Sequence, residues 1–421
     1  MSGLRLPRHR ATTANICSAY PFVAEAGLGS AGAYLGTNVL TGGAGFAYDP
    51  FEAYRAELVT NPNILIAGEP GTGKSATAKC LIYRACGVFG RWVAIADPKG
   101  EYLPLAHALG LDVVKLQPGG RARINPLDPG PDGLFADPEE VARRQTVMVG
   151  ALLGSVLRRD LTPVEDAVLG WATLHLARSG RAQPTLGDLV ALMADPTDDI
   201  AERARVPRAE LARSVESATY AIGKLLDRSL RGMFDGPTNV HLDWSGPGVV
   251  LDLSAVHHEP EALTLVMLAT TAWLQSVLAR PDGPLRLQVL DEAWSLLASE
   301  RTSRYLQSCW KLGRSYGVAN IAIVHRLSDL RAQADDGSVA AKVSMGLLAD
   351  TQTRVLFRQA SDQVAEARSM LGLTTREAKV LGRLVRGRAI WKVGGRTAVV
   401  QHVVGTSERA FCDTDARMDE R

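Results

Sequence analysis

Two short stretches hold residue types whose spacing suits phosphate chemistry. The first, GEPGTGKS from Gly68 to Ser75, fits the pattern G-x-x-x-x-G-K-[ST]. Gly68, Gly71 and Gly73 let the backbone wrap so that successive N–H groups, including those of Glu69, Pro70's neighbours, Thr72 and Ala76, face phosphate oxygens at a helix N-terminus. Lys74 then reaches the β- and γ-phosphates, and the Ser75 hydroxyl ligates Mg2+. The second stretch, LRLQVLDEAW, is an apolar strand that ends in Asp291 and Glu292. An aspartate at such a strand end holds the magnesium shell, and the acid after it orients and polarises the attacking water. The implied chemistry is Mg2+-assisted transfer of the γ-phosphoryl group of ATP to water.

A third stretch, WVAIADPKGEY from Trp92 to Tyr102, ends an apolar strand in three charged residues, Asp97, Lys99 and Glu101. This strand follows the Gly68–Ser75 loop and its helix, so Asp97 emerges at the carboxyl edge of a doubly wound sheet, where ligands collect. Asp97 and Glu101 are therefore candidate site residues, while a solvated turn accounts for Lys99.

The elements that must position these residues follow an α/β rhythm. NILIAG, RWVAIAD and LDVVKL are predicted strands, separated by the helices KSATAKCLIYRAC and EYLPLAHAL, which indicates a parallel sheet covered on both faces. After the linker NPLDPGPDGLFADP the pattern turns helical, with a capping box from Thr162 to Glu165 and Pro163 at the first helical position. Strands resume at TNVHLDW and GVVLDLS and continue through LRLQVLDE, VANIAIVH and TRVLFRQ. A second capping box, Thr374 to Glu377, precedes a hairpin that turns at Gly394–Gly395. The expected organisation is an N-terminal arm and β-hairpin (1–60), the first part of a P-loop core (61–136), an all-α insertion (137–231), and the rest of the core with a C-terminal hairpin (232–421). The uncharged run Ala262–Ala279 lies between two strands and carries Thr, Gln and Ser, so it is expected to be a buried crossover helix rather than a membrane span.

Bulk composition narrows the partners. A net charge of +2 from 47 basic and 45 acidic residues provides no global field for nucleic acid or an anionic membrane, and residues 137–231 hold 13 basic against 14 acidic side chains. Five cysteines, far apart in sequence and without a CxxC pair, argue against a disulfide framework or a zinc knuckle and for a reducing cytoplasm.

With the P-loop, DPKGEY, INPLD (Ile124–Asp128) and DEAW (Asp291–Trp294) in this order, the sequence resembles the ATPases of conjugation and type IV secretion, of the TraC and VirB-four kind, within the FtsK/HerA group of motor ATPases. The resemblance covers about residues 35–410. It implies a RecA-like core with an all-α insertion, a homo-hexamer with ATP between subunits, Asp97 and Glu101 near the site, Asp291 on Mg2+ and Glu292 as the activator of water. It also makes Arg314, in KLGRSYG, the candidate arginine finger, ahead of Arg354 and Arg358. His325 stands at a strand end where the group often has Gln, which makes it a candidate sensor. Relatives usually carry a large N-terminal docking domain, and only about 60 residues precede the P-loop strand here, so either a separate polypeptide supplies that role or the protein docks otherwise.

The expectation is an ATP hydrolase that powers a conjugation or secretion apparatus. It would work in the cytoplasm, with room for peripheral association at the inner face of the cell membrane, beside channel proteins. A DNA translocase of the FtsK, HerA or coupling-protein type is the alternative, with nucleic acid as cargo. A non-hydrolysing structural ring is the third reading, and an intact Glu292 counts against it.

Overall fold

Strands that are apolar at odd and even positions alike need cover on both faces, and the strands around the Gly68–Ser75 loop have it. The computed structural model describes residues 28–29, 31–130, 137–228, 231–280, 282–297, 300–324 and 351–412. Its strands are β1 (Ala33–Asn38), β2 (Ala44–Tyr48), β3 (Ile64–Ala67), β4 (Trp92–Asp97), β5 (Asp112–Lys115), β6 (Gly248–Asp252), β7 (Arg286–Leu290), β8 (Val318–Val324), β9 (Thr353–Leu356), β10 (Arg388–Val393) and β11 (Arg396–His402). They form one 11-stranded sheet in the order β2-β1-β11-β10-β9-β3-β8-β7-β4-β6-β5. From β9 to β5 every pairing is parallel, and β10, β11, β1 and β2 extend the sheet antiparallel.

Every residue of β3, β4, β6, β7 and β8 is buried. The period-2 alternation sends Ile64, Ile66, Val93, Ile95, Val289 and Ile321 to one face, where they pack against Leu81 and Ile82 of the P-loop helix. Leu65, Ala67, Ala94, Ala96 and Leu290 go to the other face, against a larger helical layer. Fully burying such an aliphatic side chain contributes about 1.5–3 kcal/mol, so both layers are needed to hold the central strands.

The helices are α1 (Pro50–Arg55), α2 (Lys74–Phe89), α3 (Leu103–Leu109), α4 (Pro138–Leu157), α5 (Pro163–Arg178), α6 (Leu186–Ala194), α7 (Asp198–Ala204), α8 (Arg208–Ser214), α9 (Glu216–Asp227), α10 (Pro260–Leu278), α11 (Glu300–Gly313), α12 (Val364–Leu371), α13 (Thr375–Leu381) and α14 (Arg409–Cys412). The run α4–α9 enters between β5 and β6, and its hydrophobic residues belong to the same core cluster as one face of the sheet. Both capping boxes close as the spacing requires: Thr162 and Glu165 exchange side-chain-to-amide bonds at the start of α5, and Thr374 and Glu377 do so at α13. Among the described residues one helix, α10, is long and apolar enough to cross a membrane, and 78% of that window is buried inside the protein.

The segment TNVHLDW departs from the expected strand and runs as an irregular strap. Its polar side chains take the backbone partners that a ladder would need. Asn239 accepts from the Arg123 amide at 2.7 Å and donates to the Arg121 carbonyl at 2.8 Å, and the Thr238 hydroxyl accepts from the Asn125 amide at 3.0 Å. The INPLD motif serves the same packing, since Asp128 accepts from the Thr238 hydroxyl of the strap and Asn125 donates to the Pro184 carbonyl ahead of Leu186–Ala194.

Candidate active site

The P-loop leaves β3 at Ala67 and enters α2 at Lys74. Gly71 and Gly73 sit at φ +73° and +109°, where a side chain is strained. A Cβ on Gly68 would lie 2.4 Å from the Phe357 Cβ. Glycine also caps α2 without a side-chain oxygen, so the first amides of a 16-residue helix keep their donors for an anion. The loop is braced from outside: the Glu69 amide donates to the Arg358 carbonyl at 3.0 Å, and the Gly387 amide donates to the Thr72 carbonyl at 2.9 Å. Pro70 and Gly71 are exposed at its tip, while Ser75 and Ala76 are half-buried in the first turn of α2. The Lys74 ammonium donates to the Glu69 carbonyl at 2.8 Å. Burial brings this ammonium down to about 8, with Asp291, Glu292 and Glu101 opposing the fall and Lys99 adding to it.

The other half of the site comes from strand order. β4 and β7 are hydrogen-bonded neighbours, with Ala96 opposite Leu290 and the Asp291 amide on the Ala96 carbonyl at 3.4 Å. The DPKGEY turn and the Asp291–Glu292 turn therefore emerge side by side. Asp97 is fully buried and directs its charge into its own turn: Oδ1 accepts the Lys99 and Glu101 amides at 3.2 and 3.1 Å, and Oδ2 accepts the Tyr102 amide at 2.8 Å. Burial raises its carboxyl above the usual range against the pull of those three amides. Asp97 is thus the former of the turn, and Gly100 at φ +71° completes it.

That turn presents Lys99, which forms an ion pair with Glu292. Solvation was expected to account for Lys99; no local sequence signal names a partner so distant in the chain. Glu292 is 3% exposed and Lys99 26%. Burial pulls the Lys99 ammonium down, but the hydrogen bond and charge of Glu292 outweigh it and leave the net shift upward. Glu292 holds the left-handed φ of +53°, and its amide donates to Asp291 Oδ1 at 2.9 Å. Burial, reinforced by the Glu292 charge, pushes the Asp291 carboxyl up to about 7. A buried carboxylate so disfavoured by its surroundings suits a bound divalent cation. Glu101 is half-buried and within the electrostatic reach of Lys74, Lys99 and Asp291.

His257 also escaped the sequence reading. It follows β6, and its Nδ1 is buried without a hydrogen-bond partner. Its ring senses Lys99, Glu292 and Glu101, although burial is the main force that lowers its pKa. The available signal was the His257–His258 doublet just past a strand end on the carboxyl edge.

The arginines separate by place. Arg314 precedes β8 and donates to the Thr60 carbonyl at 3.1 Å, ahead of β3; both strands run parallel from there towards the P-loop edge, so Arg314 lies at the opposite edge. Arg354 donates to the Thr351 and Leu371 carbonyls at 2.9 and 2.7 Å, which ties it into its own chain. Arg358 contacts its own P-loop through Glu69 Oε2 at 3.2 Å. His325 lies outside the described residues.

Neither a family model nor a curated protein sequence matches the chain. Among solved structures the fold is similar to that of VirB4 of Thermoanaerobacter pseudethanolicus, with a TM-score of 0.72 and 22% identity over 91% of this chain and 100% of that one. It is also similar to the plasmid coupling protein TrwB in complex with the ATP analogue ADPNP, with a TM-score of 0.57 and 20% identity over 82% of this chain and 86% of that one. TrwB in complex with ADP and Mg2+ matches with a TM-score of 0.56 and 19% identity over the same shares, 82% and 86%. The fold is that of a RecA-like P-loop NTPase.

Proposed function

We propose that this protein is an ATPase that powers a conjugation or type IV secretion apparatus. The observation that carries the reading is the convergence of the glycine cradle of Gly68–Ser75 with the buried Asp291–Glu292 turn, in a fold similar to that of VirB4 over 91% of this chain. In this reading the amides from Gly71 to Ala76 and the Lys74 ammonium hold the phosphates. The Ser75 hydroxyl and the buried Asp291 carboxylate would hold Mg2+ beside the phosphates. Held there, the ion would supply positive charge to offset what develops on the β- and γ-phosphate oxygens. Glu292 takes a proton from water as the water oxygen bonds to the γ-phosphorus. The bond from that phosphorus to the β–γ bridging oxygen breaks, and ADP and inorganic phosphate leave.

Arg314 lies at the sheet edge away from its own P-loop, so it would serve only a neighbour's nucleotide. That supports a ring, and the reading takes the ring to be a homo-hexamer in the cytoplasm, docked on channel proteins. The test is Mg2+-dependent phosphate release. Lys74→Ala should lose nucleotide binding, whereas Glu292→Gln should bind ATP and turn it over about 10²–10⁴-fold more slowly, the range of a general base. Wild-type turnover by Glu292→Gln would refute the assignment.

The likeness to TrwB favours a second reading, a coupling-protein type of DNA translocase. A DNA pump grips phosphates, so duplex DNA should accelerate its ATPase, and the effect should fade steeply with salt. The near-neutral chain and insertion favour the secretion reading, in which long duplex DNA leaves phosphate release unchanged across a salt series.

A further inference from the structure

We propose that Cys80 and Cys412 form an oxidant-sensitive dithiol, which a peroxide converts into a disulfide that fastens helix α14 to the P-loop helix α2. The inference stands on the geometry of these two helices and does not depend on the ATPase reading.

The fold brings together two thiols that lie 332 residues apart in the chain. Cys80 is on the buried side of α2, and Cys412 is the last residue of α14. Their sulfurs stand 3.5 Å apart. Cys80 Sγ also lies 3.6 Å from Glu408 Oε2, and Cys412 Sγ lies 3.7 Å from the Ala76 carbonyl oxygen in the first turn of α2. Three further contacts keep the helices in register: Arg84 pairs with Glu408, the Lys79 ammonium donates to the Phe411 carbonyl at 3.1 Å, and the Phe411 and Tyr83 rings pack with centroids 5.0 Å apart. A disulfide is about 2.05 Å long, so the sulfurs must close by about 1.5 Å. A helix of four residues, held by side chains, can follow that far.

The pair divides into a nucleophile and a resolving thiol. Cys412 is half-buried and open to a small oxidant, whereas Cys80 is 4% exposed. The Cys80 hydrogen bond brings the Cys412 thiol below its ordinary value against the opposing pull of burial, and the Lys79 charge adds to the fall. The same bond, reinforced by burial, raises Cys80. Cys86 and Cys309 are buried, and burial pushes each thiol up to about 12, so both are slow to react. In the first step the Cys412 thiolate attacks one peroxide oxygen, the O–O bond breaks, and the other oxygen leaves and takes up a proton as water. Cys412 is left as a sulfenic acid. The Cys80 sulfur then attacks the Cys412 sulfur, the S–O bond breaks, and the Cys80 proton departs with the hydroxide as a second water. Two thiols are oxidised, and one peroxide is reduced to two waters. In a reducing compartment such a bond is transient, so it registers oxidant rather than supporting the fold.

The experiment treats the full reduced chain with hydrogen peroxide, blocks the remaining thiols before unfolding, and maps all five cysteines by peptide mass spectrometry. Wild type should yield a linked Cys80–Cys412 peptide that dithiothreitol removes. Neither Cys80→Ser nor Cys412→Ser should yield it, and Cys80→Ser should accumulate a sulfenic acid on Cys412, trapped by dimedone. Amide hydrogen exchange across residues 409–412 should slow several-fold in the oxidised protein and recover with dithiothreitol. Oxidation confined to other cysteines, or Cys412 driven to sulfinic acid while Cys80 stays free, would overturn the pairing. A linked peptide with unchanged exchange would overturn the fastening. If a serine variant does not fold, the wild-type map decides alone, since it needs no substitution.

Discussion

Glu292 occupies a backbone conformation that costs a non-glycine residue on the order of 1–3 kcal/mol, and it does so in the one turn where a carboxylate is needed. This sets an unusual order of stability. Glu292→Ala loses the ion pair and keeps the strain, whereas Glu292→Gly loses both. The glycine variant should therefore be the more stable by about 1 kcal/mol, the reverse of the usual ranking, as read from urea unfolding. At this scale the sequence was legible wherever a motif is local. The P-loop and the acidic pair lie on their expected elements because each is a contiguous run. Asp97 was harder to read, because an aspartate that accepts amides two, four and five residues on looks in sequence like one that faces a ligand. Lys99 was harder still, since its partner arrives only through the pairing of β4 with β7.

The P-loop works as an element because its neighbours are shaped to it. Phe357, just past β9, packs so closely on Gly68 that a methyl group there has no room. Gly68→Ala should cost about 1–3 kcal/mol by overpacking, and because the strain falls on the loop it should weaken nucleotide binding as well. Thermal unfolding with and without nucleotide separates the two effects. Helix starts were readable because a capping box is complete within four residues, as at Thr162–Glu165. The strap at 238–244 was misread because its alternation is that of a strand while Thr238 and Asn239 hold the 121–125 segment from their side chains. Contacts between residues distant in the sequence were hidden in another way. Cys80 on α2 and Cys412 on α14 stand with their sulfurs 3.5 Å apart, beside the Arg84–Glu408 ion pair and the bond from the Lys79 ammonium to the Phe411 carbonyl. These contacts seat α14 on the P-loop helix, and no local pattern announces them.

Across the whole molecule, the antiparallel end of the sheet backs the P-loop through His402, which bonds Gly387, itself bonded to Thr72. The His402 Nε2 accepts the Trp391 indole N–H at 2.9 Å, so the neutral ring carries its proton on Nδ1 and donates to the Gly387 carbonyl at 3.0 Å. Burial, only partly offset by Gly387, lowers its pKa to about 4 from 6.5. The unfolded chain therefore takes up this proton first as the pH falls. The contribution is fully present above about 6.5 and is lost towards about 4, up to about 3 kcal/mol. His402→Gln should flatten the fall in unfolding free energy between pH 6.5 and 5 relative to wild type. The α/β class was legible from alternating strands and helices, but the neighbours of each strand were not. β3 lies between β8 and β9, both made from the second half of the chain, and β4, its successor in sequence, lies three strands away. This order bears on synthesis. While a ribosome is still translating towards Val318, the strand that carries the P-loop has two bare edges, open to pairing with any other nascent chain. A ribosome that stalls with Val324 still in its exit tunnel holds the Gly68–Ser75 loop on a strand that lacks both of its sheet neighbours.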